Sequence, residues 1–411
     1  MLQEEKGKNQ FIALEDIKVL DLTQYVAGPY STKLLADYGA QVIKIEEPGF
    51  GDPSRSMGPF PGDIPHPEKS GLFLYLNMNK KGITLNLKSE AGKRVFRQLI
   101  AGIDILVESY RPGMLSSLEL DYDNLKKINQ NLVLASITNF GLTGPYSDFK
   151  AGDITIWAMG GEMYSTGVPG REPLMLAPNV AQYIVGSVAA VGIMGAFYAA
   201  RYLNIGQQVD VSAMEVQSGV TERRLINLLS YEYRGKINPR IATMEVGFPY
   251  GVYPCKDGYI NVQGGRVYWD RIVKMVESPA FLMDPKWTKL DAQANPSLKA
   301  EFEKYFLNWL INRTKKETIE AGQAAGVPCT PLQTTEEVFK DPHFNARGCF
   351  VEIEHPMTGV LKYPRSPVLL NGTPAQIKRP APMLGQHNCE IFGQLGFSNS
   401  DLVKLRQQGV I

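Results

Sequence analysis

The chain has 411 residues, 44% of them hydrophobic, enough for two domains with sizeable cores. Its 43 basic and 42 acidic residues are interspersed and leave a net charge of +1, with no basic stripe or acidic tail, so a small-molecule substrate is expected and nucleic acid is not. Four scattered cysteines (Cys255, Cys329, Cys349 and Cys389) and four histidines (His66, His343, His355 and His387) lack metal-ligand spacing, so no protein-bound metal is expected.

The polar opening MLQEEKGKNQ reads as a loose lead-in. Val19-Leu20-Asp21-Leu22 reads as a short apolar strand, and Gln24 to Ala27 as a turn. Pro29 suits a first helical turn, where its missing N–H is unneeded. Tyr30 to Tyr38 carries apolar residues at helical spacing, Gly39 stops it, and Gln41 to Ile45 reads as a second strand. Such a strand–helix–strand unit builds an open parallel sheet, and ligands bind at the carboxyl ends of its strands. Gly82 to Asn86, Asp104 to Glu108 and Leu132 to Ile137 read as further strands. Ser89 to Ala101 reads as a helix with Val95, Leu99 and Ile100 on one face.

Tyr183 to Ala200 is a run of 18 residues without a charge, the lower limit for a membrane span. Gly186, Gly192 and Gly195 interrupt it, and it is rich in alanine. It is read as a buried helix that other backbone approaches closely, and no membrane is expected. Few cysteines and the absence of a secretory signal point to a reducing cytoplasm. Val209 to Val211 adds a strand.

The pattern changes from about Glu215. Helical periodicity runs through Val220 to Tyr233. GVYPC and YINVQ then flank the hairpin turn Lys256-Asp257-Gly258. Phe302, Tyr305, Phe306, Trp309 and Leu310 line one face of a further helix. Thr314 with Glu317, and Thr334 with Glu337, have the spacing of capping boxes. The expected architecture is a doubly wound parallel-sheet α/β domain (residues 1–215), linker helices with a smaller α+β domain (216–349), and a proline-rich segment (350–411) returning to the first.

Several motifs in one order make the chain resemble the class III coenzyme A transferases. That family includes the crotonobetainyl-CoA:carnitine and formyl-CoA transferases and the α-methylacyl-CoA racemases. The resemblance begins with Val19 to Glu46 and continues through Gly51-Asp52-Pro53 with Arg55, Asn77 to Lys81, Leu85 to Lys88, and Glu108 to Gly113. Phe140 to Tyr146, Tyr250 to Gly258, Gly326-Val327-Pro328, Asp341-Pro342 and Arg379 to His387 complete it. It implies a ring-shaped protomer closed by a second, interlocked chain, with a CoA thioester as substrate and no permanently bound cofactor.

One position departs from the family pattern. Matched without gaps, Gln182 stands where the transferases place a nucleophilic aspartate. A glutamine amide has no anionic oxygen and cannot attack a thioester. The Gly-His-Asp motif of the racemases corresponds to Ala151-Gly152-Asp153, so the proton-shuttling imidazole is missing too. Three explanations stand open: another acid (Asp153, Glu162 or Glu172) serves, the chain runs a different reaction on a CoA ester, or it is the non-nucleophilic partner of a homologous chain that keeps the aspartate. The third is favoured, with a succinyl-CoA:benzylsuccinate-type heteromer as the specific expectation. A binding protein without turnover is the remaining alternative.

The resemblance places CoA beside Gln24, Tyr25, Val26 and Ala27 at the first turn, with Lys88 and then Ser109, Tyr110 and Arg111. Backbone amides at a helix start and a few cations suit its phosphates, and Tyr110 suits the adenine. Against this, Lys80, Lys81 and Lys88 also read as a solvated face, and Arg111-Pro112 as a turn. Glu47 would repel a phosphate. Gln182 also reads as a satisfied polar group at a helix start. Asp153 reads as a cap and His387 as a tie between the C-terminal segment and the sheet.

Overall fold

A computed structural model describes residues 12–219, 222–240, 247–289 and 291–411. The polar lead-in lies outside these residues, as does Val220; the helix expected there is seen over Glu222–Arg234. The described chain forms two compact units. One comprises residues up to 166, 174–238 and 346–411, and the other residues 167–173 and 239–345.

The first unit is built on six parallel strands: β1 (Lys18–Leu22), β2 (Gln41–Glu46), β3 (Lys81–Thr84), β4 (Ile105–Glu108), β5 (Val133–Thr138) and β6 (Gln207–Ser212). Their order is β3-β2-β1-β4-β5-β6, so the expected doubly wound α/β class is borne out. Chain direction across the sheet reverses between β1 and β4, and the turns after these two strands open a crevice at their carboxyl ends.

Helices cover both faces of the sheet. One face is buried under α1 (Ala27–Asp37) and a 24-residue helix, which we label α4 (Val180–Leu203). The other is buried under α2 (Glu90–Ile100) and two C-terminal helices. Ser89 starts α2 by accepting the Gly92 N–H, and Val95, Phe96, Leu99 and Ile100 face the sheet. Gly39, at φ +108°, ends the α1 segment in a conformation open to glycine. Between α2 and α4 lies the short α3 (Asp153–Met159).

By length and composition α4 could cross a membrane, but its buried side packs on α1, β5 and β6. Of its three glycines, Gly186 fulfils the expected close approach: a methyl group there would lie 2.5 Å from the Ala27 carbonyl oxygen. Gly192 and Gly195 do not, because they face outward, and nothing lies within 4 Å of a methyl at Gly195. Gly186→Ala is therefore expected to cost about 1–3 kcal/mol, read as a lowered denaturant midpoint, while Gly195→Ala does not.

The C-terminal part of this unit carries the hairpin of β10 (Phe350–His355) and β11 (Gly359–Pro364), then α6 (Asn388–Gln394) and α7 (Asn399–Gln407). His387 ties it to the sheet as expected. Its Nδ1 accepts the Gly82 N–H at 3.0 Å, and its own N–H donates to the Gly82 carbonyl at 2.9 Å.

The second unit contains the expected hairpin, β7 (Tyr250–Cys255) with β8 (Gly258–Gln263), and a third strand, β9 (Cys329–Pro331). Its core is aromatic: Phe248, Trp269, Trp287, Phe302 and Phe306 pack within 6.4 Å of one another's ring centres where they meet. Phe302, Phe306, Trp309 and Leu310 are the buried face of α5 (Pro296–Ile311). Both capping boxes, Thr314 with Glu317 and Thr334 with Glu337, are formed.

Candidate functional site

The turn after β1 is built on buried charges. Asp21 is fully buried; its carboxylate accepts the Thr23 N–H (2.9 Å) and the Thr32 hydroxyl (2.7 Å) and pairs with Lys80 at 2.9 Å. Lys44, in the middle of β2, donates to the Thr23 carbonyl (2.9 Å) and pairs with Asp52 (2.8 Å). Arg55 grips Glu46 through Nε (2.7 Å) and Nη2 (2.8 Å), reaches Glu68 (2.6 Å), and lies 3.7 Å from the centre of the Phe73 ring.

Burial alone would raise the Asp21 carboxyl, but Lys80 and Lys44 overcome it and hold the group well below the usual carboxylate range. Burial pushes Lys80 down to about 8 against the pull of Asp21. Lys44 is raised, because Asp52, Asp21 and Glu46 outweigh its burial. Lys80 thus corrects one reading: it is no part of a solvated face. Its stem sits inside, and its ammonium finds Asp21, the Pro29 carbonyl and Asn77, each at 2.9 Å. Lys81 is half-buried against Glu390.

Over this network lies a cleft of about 410 Å³ at the carboxyl ends of β1, β2 and β4. Six of the eight expected residues line it: Gln24, Tyr25, Lys88, Ser109, Tyr110 and Arg111. Val26 and Ala27 do not, because their side chains are buried and Ala27 packs into the core beneath α1. The turn's amides are not all open to phosphate either. Gln24 N–H donates to Ser109 Oγ (2.9 Å) and Tyr25 N–H to Asp52 Oδ1 (3.2 Å).

The cleft's charge is close to balanced. Lys88 pairs with Glu47 at 2.9 Å, both exposed, so the pair is weak and readily parted. Arg111 is exposed and, among the described residues, has no carboxylate within 4 Å. Tyr110 is half-buried; burial and then Glu108 push its phenol up, keeping it a neutral donor.

Glu108, just beneath the Ser109–Arg111 wall, is buried and accepts the Tyr110 N–H at 2.7 Å. Burial, opposed by Ser136 and the Tyr110 N–H and reinforced by Asp210, pushes its carboxyl up to about 7. A raised acid binds its proton more tightly in the folded chain, so its contribution is fully present below the unfolded value of about 4.3 and is lost as pH rises to about 7. Glu108→Gln removes that dependence. The stability difference between variant and parent is expected to shift in the variant's favour by about 3 kcal/mol from pH 4 to 8, measured by denaturant unfolding.

Gln182 lies in the first turn of α4, one helical turn before Gly186 and on the same face, which places it near the start of α1. Its Nε2 donates to Asp153 Oδ1 at 3.4 Å, and Asp153 Oδ2 accepts the Asn179 N–H at 3.0 Å. Asp153 therefore anchors the start of α4 and not that of α3, whose cap is Gly152. Tyr183 fixes the same turn, its ring edge-on to Tyr30 with centres 4.8 Å apart. Of the other acids, Glu162 is buried in a short helix and Glu172 belongs to the second unit.

Comparison with known proteins decides the family. The family model described as CoA-transferase family III matches residues 14–388. The chain belongs to CoA-transferase family III. It is 33% identical to succinyl-CoA–D-citramalate CoA-transferase of Chloroflexus aurantiacus, over 97% of this chain and 98% of that one. It is 32% identical to succinyl-CoA:(R)-benzylsuccinate CoA-transferase subunit BbsE of Thauera aromatica, over 96% and 97%. A CAIB/BAIF family protein from Brucella suis has the same fold, with a TM-score of 0.83 and 28% identity over 93% and 99% of the two chains.

As a family III CoA-transferase, the protein serves the transfer of CoA between carboxylic acids, with the CoA thioester as substrate and no permanently bound cofactor. The buried ionic network was not foreseen, although its signal stands in the sequence. Asp21 and Lys44 sit inside otherwise apolar strands, where a charge needs a partner.

Proposed function

We propose that this chain is the non-nucleophilic subunit of a cytoplasmic heteromeric CoA-transferase, a ring-shaped protomer interlocked with a homologous chain that carries the catalytic aspartate. The donor is succinyl-CoA or a similar thioester, and the acceptor is benzylsuccinate or a related organic acid. The observation that carries this reading is the amide at Gln182, held by Asp153 at the start of α4. Two of the similar relatives have names beginning with succinyl-CoA, and one of these is named as a subunit.

In the proposed assembly the partner's carboxylate oxygen attacks the donor thioester carbonyl, and CoA leaves as its thiolate. The thiolate then attacks the resulting mixed anhydride at the enzyme's own carbonyl, releasing the donor acid and leaving CoA as an enzyme thioester. The acceptor carboxylate attacks that thioester, and the freed thiolate takes the acceptor's acyl group, restoring the aspartate. This chain's cleft would hold CoA through Arg111 and Lys88, the latter exchanging Glu47 for a phosphate.

A second reading makes Asp153 the nucleophile of a self-sufficient homodimer, favoured by its position 3.4 Å from the Gln182 amide. Its two oxygens already accept hydrogen bonds that fix α4, which suits an anchor better. The test is expression with and without an aspartate-bearing homologue, assayed for succinyl-CoA-dependent thioester formation. The expected result is turnover from the co-expressed pair and none from this chain alone; turnover by the single chain contradicts the proposal.

A further inference from the structure

The wall of the cleft is held from beneath by a carboxyl group that the transfer steps do not use. Glu108 ends β4, and the parallel register sets it opposite Ser136 of β5, which in turn stands opposite Asp210 of β6. Residues paired in this way project from the same face of the sheet, on strands about 4.8 Å apart. The three therefore form a polar row across β4, β5 and β6 at the carboxyl end of the sheet.

Glu108 is 4% exposed and spends Oε2 on the Tyr110 N–H at 2.7 Å, with the Ser136 hydroxyl beside it. Asp210 accepts the Leu142 N–H through Oδ2 at 3.0 Å, and its carboxylate faces Glu108 along the row. A separate cavity of about 360 Å³ reaches Glu108 and Ser136 from solvent, with Asp121 and Asp123 along its lining. Arg111 lines both this cavity and the CoA cleft, so the segment Ser109–Arg111 is a thin partition between them. Ser109 Oγ in turn accepts the Gln24 N–H at 2.9 Å, a second bond that ties the partition to the turn after β1.

We infer that Glu108 is a positioning residue for CoA: its ionised carboxylate holds the Tyr110 N–H, and through it the Ser109–Arg111 partition, so CoA is held more tightly when Glu108 is charged than when it is protonated. A carboxylate accepts an N–H more strongly than a neutral carboxylic acid does. Burial and the facing Asp210 place the change of state near neutrality, within reach of ordinary pH shifts. The inference rests on the reading of the cleft as the CoA site.

The test has two independent readouts on the full chain, with ¹⁵N-tyrosine label and CoA itself as the probe. In the ligand-free protein the Tyr110 amide signal, assigned by its loss in Tyr110→Phe, should titrate with a midpoint near 7 and should not titrate in Glu108→Gln. By calorimetry, the CoA dissociation constant of the parent should rise about fivefold from pH 8 to pH 6 beyond any change in Glu108→Gln, which also corrects for titration of the CoA phosphate. Ser109→Ala, which leaves Glu108 in place, should keep the Tyr110 titration and weaken CoA at both pH values. A Tyr110 amide that does not titrate, or an equal pH dependence in parent and Glu108→Gln, overturns the inference. Tyr110 titrating normally while CoA fails to bind at any pH overturns the assignment of the cleft and the CoA role of Glu108 with it, but leaves the Glu108–Tyr110 coupling standing.

Discussion

Asp21→Ala is expected to destabilise the first unit by about 3–5 kcal/mol, because it leaves the Lys80 ammonium buried without its counter-charge. The same substitution frees the Thr23 N–H and the Thr32 hydroxyl, which fix the turn and the first helix. Asp21→Leu combined with Lys80→Met should recover much of the loss, since an apolar pair of similar volume removes the orphaned charge. Acid should act in the same direction. The Asp21 carboxyl is held below its unfolded value, so its contribution is present above about pH 4 and fades as pH falls further. Urea unfolding of the parent and both variants at pH 7 checks this; a single variant as stable as the parent would show that the network is dispensable.

The second large effect concerns which carboxylate reacts. In the assembled enzyme, asparagine in place of the partner's nucleophilic aspartate is expected to lower turnover on the order of 10⁴-fold or more, as loss of a nucleophile does elsewhere. Asp153→Asn in this chain should change turnover only a few-fold and cost about 1 kcal/mol, because an amide oxygen still accepts the Asn179 N–H. The two outcomes cannot both hold if Asp153 is the attacking group. Steady-state rates and thermal unfolding of the two variants, prepared as complexes, separate a structural anchor from a nucleophile.

Much of this fold could be read from the sequence because its strands are short apolar runs between amphipathic helices, and the parallel order follows from that alternation. Lys80 was misread for a physical reason. Local pattern treats a lysine beside another lysine as exposed, whereas Asp21, fifty-nine residues earlier, draws its ammonium inside. The cleft was legible where side chains face out, as at Ser109 to Arg111, and not where the chain turns inward, as at Val26 and Ala27. That the amides of Gln24 and Tyr25 are already bonded within the protein depends on Ser109 and Asp52, contacts that no local pattern reveals. Gln182 could be located by matching motifs alone, but its hold on Asp153 needed the packing of two helix starts.

The most direct measurement incubates the co-expressed complex with succinyl-CoA, traps the enzyme thioester with hydroxylamine, and maps the labelled peptide in both chains. The modification is expected on the homologous subunit's aspartate and nowhere in this chain. A hydroxamate on Asp153, or on any other carboxylate of this polypeptide, would contradict the account.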